Sequence, residues 1–167
     1  MNVTAGSADL ARFVPSFLLS RLADRSAPFN PSFSQPADVA VLFADISGFT
    51  ALSEKLGSRG PEGVEELTQV LNAYFGKLTE LIASHGGDVV KFAGDALLAF
   101  WPADTPDQVT RAARAAAQCG LHVQEVLATF TTSHGHRLYL KVGVGAGPVK
   151  FVSLGGVYHR RETVMVG

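Results

Sequence analysis

The feature that most constrains this chain is an unbroken apolar run, Val39 to Ala44, that ends abruptly in Asp45 and Ile46. A run this short and this uniformly apolar predicts a strand buried on both faces. The carboxylate at its end is costly unless something satisfies it. Asp45 is therefore either served by a cation, hydrogen bonds or solvent, or it caps the helix that follows. Ser47-Gly48 breaks the strand, and a short helix is expected through Leu56.

The rest of the chain alternates helical and extended patterns. Pro61 and Glu62 open a long helix. Its stripe of Val64, Leu67, Val70, Leu71, Tyr74, Leu78, Leu81 and Ile82 ends at Gly86-Gly87. Val89–Phe92 and Ala96–Trp101 flank Ala93-Gly94-Asp95, which predicts a hairpin. An alanine-rich helix is expected over Thr105–Phe130, with Val109, Ala112, Ala113, Ala116, Leu121, Val123 and Leu127 facing inward. Arg137–Gly145 and Gly147–Val152 read as two strands joined through Gly145-Ala146-Gly147, and Tyr158–Val166 as a last strand.

Before Val39 the pattern is weaker. Asp9–Asp24 is close to helical spacing, and the segment Ser26–Pro36 with its three prolines reads as linker. Residues 1–36 are thus expected to be an extension, and 37–167 the main domain. Hairpins with helices as a separate layer predict an α+β fold, a palm-type, ferredoxin-like sandwich with a mainly antiparallel sheet.

Bulk properties remove several function classes. The 167 residues are 47% hydrophobic and 17% charged, which excludes disorder and allows one domain with a core. A formal net charge of -1 supplies no global field for nucleic acid or a membrane surface, so neither partner is expected. A polyanion would need local cations. No apolar run approaches the roughly 20 residues of a spanning helix. The single Cys119 excludes an internal disulfide and suits a reducing cytoplasm.

Chemistry concentrates in two places. Asp95 sits in the hairpin turn, where Asp is also a common turn former. If the hairpin lies beside the first strand, Asp45 and Asp95 reach one point at the sheet end. Two close carboxylates repel unless cations separate them, and Mg²⁺ prefers one or two carboxylates plus substrate phosphates. The loop Ser47-Gly48-Phe49-Thr50 opens a helix and offers free N–H groups that suit a phosphate. Lys91 is either a site residue or an exposed edge-strand lysine.

Together, Phe43-Ala-Asp45-Ile-Ser-Gly-Phe-Thr50 and Lys91-Phe-Ala-Gly-Asp95-Ala-Leu-Leu resemble the class III adenylyl/guanylyl cyclase catalytic domain. The resemblance runs from about Val39 to Gly167. It is greatest to the first cyclase half of the soluble, bicarbonate-responsive type and its bacterial relatives. It implies conversion of ATP to 3′,5′-cyclic AMP and pyrophosphate. Asp45 and Asp95 would hold two Mg²⁺ or Mn²⁺ ions, with the Ile46 carbonyl as a further ligand. Ser47, Gly48, Phe49 and Thr50 would cradle the β- and γ-phosphates. Lys91 would read the base or line a bicarbonate pocket.

Active sites of that family lie between two cyclase domains, so Lys91 and the Asp pair would serve opposite pockets and a lone domain would be inactive. The family's later Asn and Arg fall beyond Val164–Gly167, and no adenine-selecting Asp or Thr is visible. A non-catalytic regulatory half, or a guanylyl cyclase, is therefore the alternative expectation.

Other signals are weaker. Gly143, Gly145 and Gly147 lack the spacing of a dinucleotide loop. Gly86-Gly87-Asp88 lacks the residues that continue a diguanylate cyclase signature. His134 and His136 read as surface loop, Arg160-Arg161 as a solvated hairpin end, and Cys119 as a small buried residue.

Overall fold

The computed structural model describes residue 19 and residues 33–128, 130, 138–155 and 161–167. The helix expected over Asp9–Asp24 lies outside these residues apart from Leu19, which is helical. His134, His136 and Tyr158–Arg160 lie outside them as well. The elements run β1 (Ser34–Ser47), α1 (Phe49–Gly57), α2 (Pro61–Ser84), β2 (Asp88–Ala93), β3 (Ala96–Ala103), α3 (Pro106–Leu127), β4 (Tyr139–Gly155) and β5 (Arg161–Val166). Two compact units divide them, Asp38–Gly147 and a second made of Met1–Ala37 with Pro148–Gly167.

The sheet order is β2-β3-β1-β4-β5. The β1–β3, β2–β3 and β4–β5 ladders are antiparallel. This is the α+β sandwich anticipated from the hairpin pattern.

In the Asp38–Gly147 unit, alternation along β1 sorts side chains to two faces. Ala40, Leu42, Ala44 and Ile46 are buried in one core with residues of all three helices, including Leu56, Tyr74, Leu78, Ala116 and Val123. Val41 and Asp45 are half-buried on the other face, and Phe43 between them is 47% exposed. The expectation of a strand buried on both faces is corrected here: toward Asp45 only the helix side is covered.

Local sequence sets the helix ends. Gly60 precedes α2 at φ 75°, and Pro61 fills the first position, where its missing N–H costs nothing. At the other end Gly86 takes φ 76°. The Gly87 N–H donates to Ile82 O at 2.9 Å and the Gly86 N–H to Ala83 O at 3.0 Å, a Schellman stop. Thr105 caps α3 by accepting from Gln108 N–H at 3.3 Å.

Several sequence expectations shift. Val64 is 54% exposed and Leu121 74% exposed, so neither joins its helix's buried stripe. Each is flanked by a small residue that does face inward, Gly63 and Gly120. The two strands expected around Gly145-Ala146-Gly147 are one strand, β4. None of these glycines takes a positive φ. A strand with neighbours on both sides holds extended glycines in line, so the break in pattern is not a break in structure. β1 begins at Ser34, inside the segment expected to be linker, and carries Pro36 near its start. Proline is tolerated at the beginning of a strand.

Burial also shifts two acids. Tyr74 is fully buried, edge-on to Phe130 at 5.0 Å, and its hydroxyl has no hydrogen-bond partner. Desolvation pushes its phenol up to about 12 and the Cys119 thiol up to about 11. In the unfolded chain these groups ionise near about 10 and about 8.5. Above those values the unfolded chain releases protons that the folded chain keeps. Stability is therefore expected to be flat below about pH 8.5 and to fall as pH rises toward 12. Urea midpoints across that range check the sign, and Tyr74→Phe is expected to flatten the decline above about pH 10. An identical slope in the variant would refute the assignment to Tyr74.

Among the described residues no helix is long and apolar enough to cross a membrane.

Candidate functional site

All the sequence-predicted site residues fall within the Asp38–Gly147 unit. Asp45 stands opposite Ala96 in the β1–β3 ladder. Asp95 is the residue just before Ala96, in the two-residue turn that joins β2 to β3. The ladder continues one step further, because the Ile46 N–H donates to Asp95 O at 3.2 Å. Directly opposed residues of such a ladder have Cα atoms about 4.5–5.5 Å apart. The two acidic residues are therefore neighbours at one end of the sheet, although 50 positions separate them in the chain.

The turn itself is dictated locally. Gly94 takes φ 66°, a conformation that residues with a Cβ adopt only at a cost. That reversal brings Ala93 opposite Ala96 and holds Asp95 at the tip. Both Asp45 and Asp95 are half-buried. Among the described residues neither carboxylate has a hydrogen-bond or ion-pair partner.

The chain leaves β1 through Ser47 and Gly48. Gly48 sits at φ 89° and ψ -1° as the N-cap of α1, with no side-chain cap and no acidic residue in the first turn. The first α-helical bond from this cap runs from Leu52 N–H to Gly48 O at 3.1 Å. The N–H groups of Phe49, Thr50 and Ala51 are thus the helix's open donors. A Cβ at Gly48 would meet nothing within 4 Å, so the space before the helix is clear. The Phe49 side chain packs against the core and the Thr50 side chain is exposed. Phe49 can serve an anion through its backbone alone. The Ser47 hydroxyl oxygen is buried without a hydrogen-bond partner.

Lys91 pairs with Leu98, and Leu98 pairs with Phe43. Side chains directly opposite share a face, so Lys91 lies on the same open face as Phe43 and Asp45. Lys141 was not singled out from the sequence. Its neighbours Leu140 and Val142 pack into the helix-side core, while Lys141 is exposed. It therefore projects to the face of β4 opposite the helices. The signal was present in the alternation of Leu138-Tyr139-Leu140-Lys141-Val142, but only the sheet order sets that strand beside β1.

The donor set suits a hard divalent cation. No cluster of three or more metal-ligating side chains exists among the described residues. Two unpartnered carboxylates beside open N–H groups match the Mg²⁺ preference for a few protein oxygens with phosphate oxygens completing the shell. The same arrangement has little for a softer ion, which favours thiolate or imidazole.

Known proteins share this sequence and fold. The family model described as the adenylate and guanylate cyclase catalytic domain matches residues 33–161. Adenylate cyclase type 10 of Homo sapiens is 31% identical over 158 residues, 93% of this chain and 10% of that protein. This chain thus spans about a tenth or less of the length of its mammalian relatives. The structure of a bacterial light-regulated adenylyl cyclase superposes with a TM-score of 0.72 at 26% identity, covering 99% of this chain and 46% of that one. The guanylyl cyclase Cya2 superposes with a TM-score of 0.62 at 30% identity, covering 81% of this chain and 66% of that one. With its fold, its two motifs and more than half its length in agreement, the chain belongs to the adenylate and guanylate cyclase catalytic domain family.

Proposed function

We propose that this domain converts ATP to 3′,5′-cyclic AMP and pyrophosphate when paired with a second cyclase domain. The observation that carries the reading is the meeting of Asp45 and Asp95 at one end of the β1–β3 ladder, both unpartnered, beside the open N-terminus of α1. Adenylate cyclases among the relatives support ATP as substrate.

Asp45, Asp95 and the Ile46 carbonyl would hold two Mg²⁺ or Mn²⁺ ions. Bound there, such ions lower the pKa of the ribose 3′-hydroxyl and stabilise charge on the departing pyrophosphate. The chain's own groups do the positioning. The N–H groups of Phe49 and Thr50 hold the β- and γ-phosphates against the positive end of the α1 dipole. Ser47 and Gly48 shape the approach, since any Cβ at Gly48 would strain the backbone. The Ser47 hydroxyl adds one donor that is otherwise unused. Lys91, on the open face, contacts the base or a regulatory anion of the paired site.

The open face also supports pairing. Phe43 is 47% exposed and Tyr139 62% exposed, large apolar area for a sheet surface in water. A site formed between two such faces excludes water around the phosphates.

Product analysis tests the proposal. The domain, paired with a second cyclase domain, is incubated with ATP or GTP and Mg²⁺ or Mn²⁺. Cyclic AMP with stoichiometric pyrophosphate is the expected result. Faster formation of cyclic GMP would reassign the domain as a guanylyl cyclase, which the likeness to Cya2 allows. Metal-dependent nucleotide binding without turnover in any pairing would make it a regulatory half.

A further inference from the structure

We infer that His85 and His122 form a binding site for a divalent transition cation of the zinc class, separate from the acidic site. His85 closes α2 and His122 lies on the exposed surface of α3. Their ring centroids are 5.2 Å apart, with the planes at 64°. A tetrahedral ion bound to two imidazoles at about 2.0–2.1 Å per Zn–N bond sets the ring centres roughly 5 Å apart. The observed separation is the one such an ion requires.

A second observation fixes which nitrogen is offered. His85 Nδ1 lies 2.8 Å from Leu81 O. A carbonyl only accepts, so Nδ1 carries the proton and donates. The Ser84 hydroxyl donates to the same carbonyl at 2.8 Å, so it does not compete to donate to Nδ1. The neutral ring therefore keeps its lone pair on Nε2. Metal-binding histidines commonly donate their other N–H to a backbone carbonyl, which orients the ring and raises the basicity of the ligating nitrogen. The main chain at the same residue is anchored too, because Trp101 Nε1–H donates to His85 O at 2.8 Å.

The ligand class follows from the donors. Imidazole nitrogen suits Zn²⁺, Ni²⁺ and Cu²⁺, whereas Mg²⁺ and Ca²⁺ need oxygen. No third His, Cys, Asp or Glu joins the pair among the described residues. Water fills the remaining positions. The bound ion ties the end of α2 to the middle of α3. It does so at the start of β2, and that strand runs about 20 Å to the Asp95 turn. An ion here and an ion at Asp45 and Asp95 are therefore independent events.

Zinc titration of the metal-stripped full chain tests this, followed by imidazole NMR and by thermal unfolding. Zn²⁺ is expected to shift the His85 and His122 ring resonances together and to raise the Tm, while Mg²⁺ does neither. His122→Gln, at an exposed position, is expected to fold normally and to lose both responses; His85→Gln loses them as well. Asp45→Asn retains them. No response to Zn²⁺ in the natural chain overturns the site. So does a response that survives His122→Gln, since the ion then binds other residues and the two rings merely pack edge to face.

Discussion

Asp45→Asn and Asp95→Asn are each expected to abolish cyclic AMP formation by the paired domain without lowering its thermal stability. The two halves of that result have separate causes. Asparagine nearly matches aspartate in size and removes only the charge. The ladder bond that joins these positions runs from the Ile46 N–H to the Asp95 carbonyl and does not involve either side chain. Neither carboxylate has a partner to lose among the described residues. In metal-free protein the two acids repel, so removing one charge leaves stability unchanged or slightly raised. Catalysis responds in the opposite sense, because a neutral amide holds a divalent cation far more weakly than a carboxylate. Turnover and Tm measured on the same preparations check this. Turnover retained in either variant would remove that residue from the metal site. Activity lost together with several degrees of Tm would assign the acid a structural role instead.

Gly63→Ala should be among the most destabilising single-methyl changes in the chain. In an exposed helix such a change is favourable by roughly 1 kcal/mol, since alanine is the better helix former. Position 63 is different. A Cβ there would fall 1.8 Å from the carbonyl oxygen of Leu56 and 2.8 Å from its carbonyl carbon, both backbone atoms that cannot rotate away. The first turn of α2 would have to move off the end of α1. Overpacking of this kind costs about 1–3 kcal/mol or more. Steric cost exceeds the propensity gain, and a net loss of about 2 kcal/mol is expected, roughly 4–8 °C in Tm for a domain of this size. Because α1 carries the open N–H groups of Phe49 and Thr50, a rise in KM for nucleotide should accompany the loss. An unchanged or higher Tm would show that the α1–α2 corner yields freely.

Local chemistry made much of this legible beforehand. Gly86-Gly87 marks the end of α2 because a Schellman stop needs an αL residue, and glycine adopts that conformation without penalty. The Gly94 turn was visible for the same reason. Asp45 stood out because it ends an apolar run, and Gly48 because it breaks one. Expectations failed where the deciding neighbour was distant in the chain. Val64 and Leu121 have helical spacing, yet no element covers them. Gly145-Ala146-Gly147 looked like a connection, yet adjoining strands hold it extended.

The sequence by itself determined the helix stops, the tight turn, the two acidic motifs and the open helix start, since each depends on a few consecutive backbone conformations. Only the tertiary structure decided that Asp45 faces the residue next to Asp95, that Lys91 and Lys141 share the open face, and that His85 meets His122. Strand register and helix packing depend on which distant surfaces bury each other, and spacing along the chain does not encode that choice.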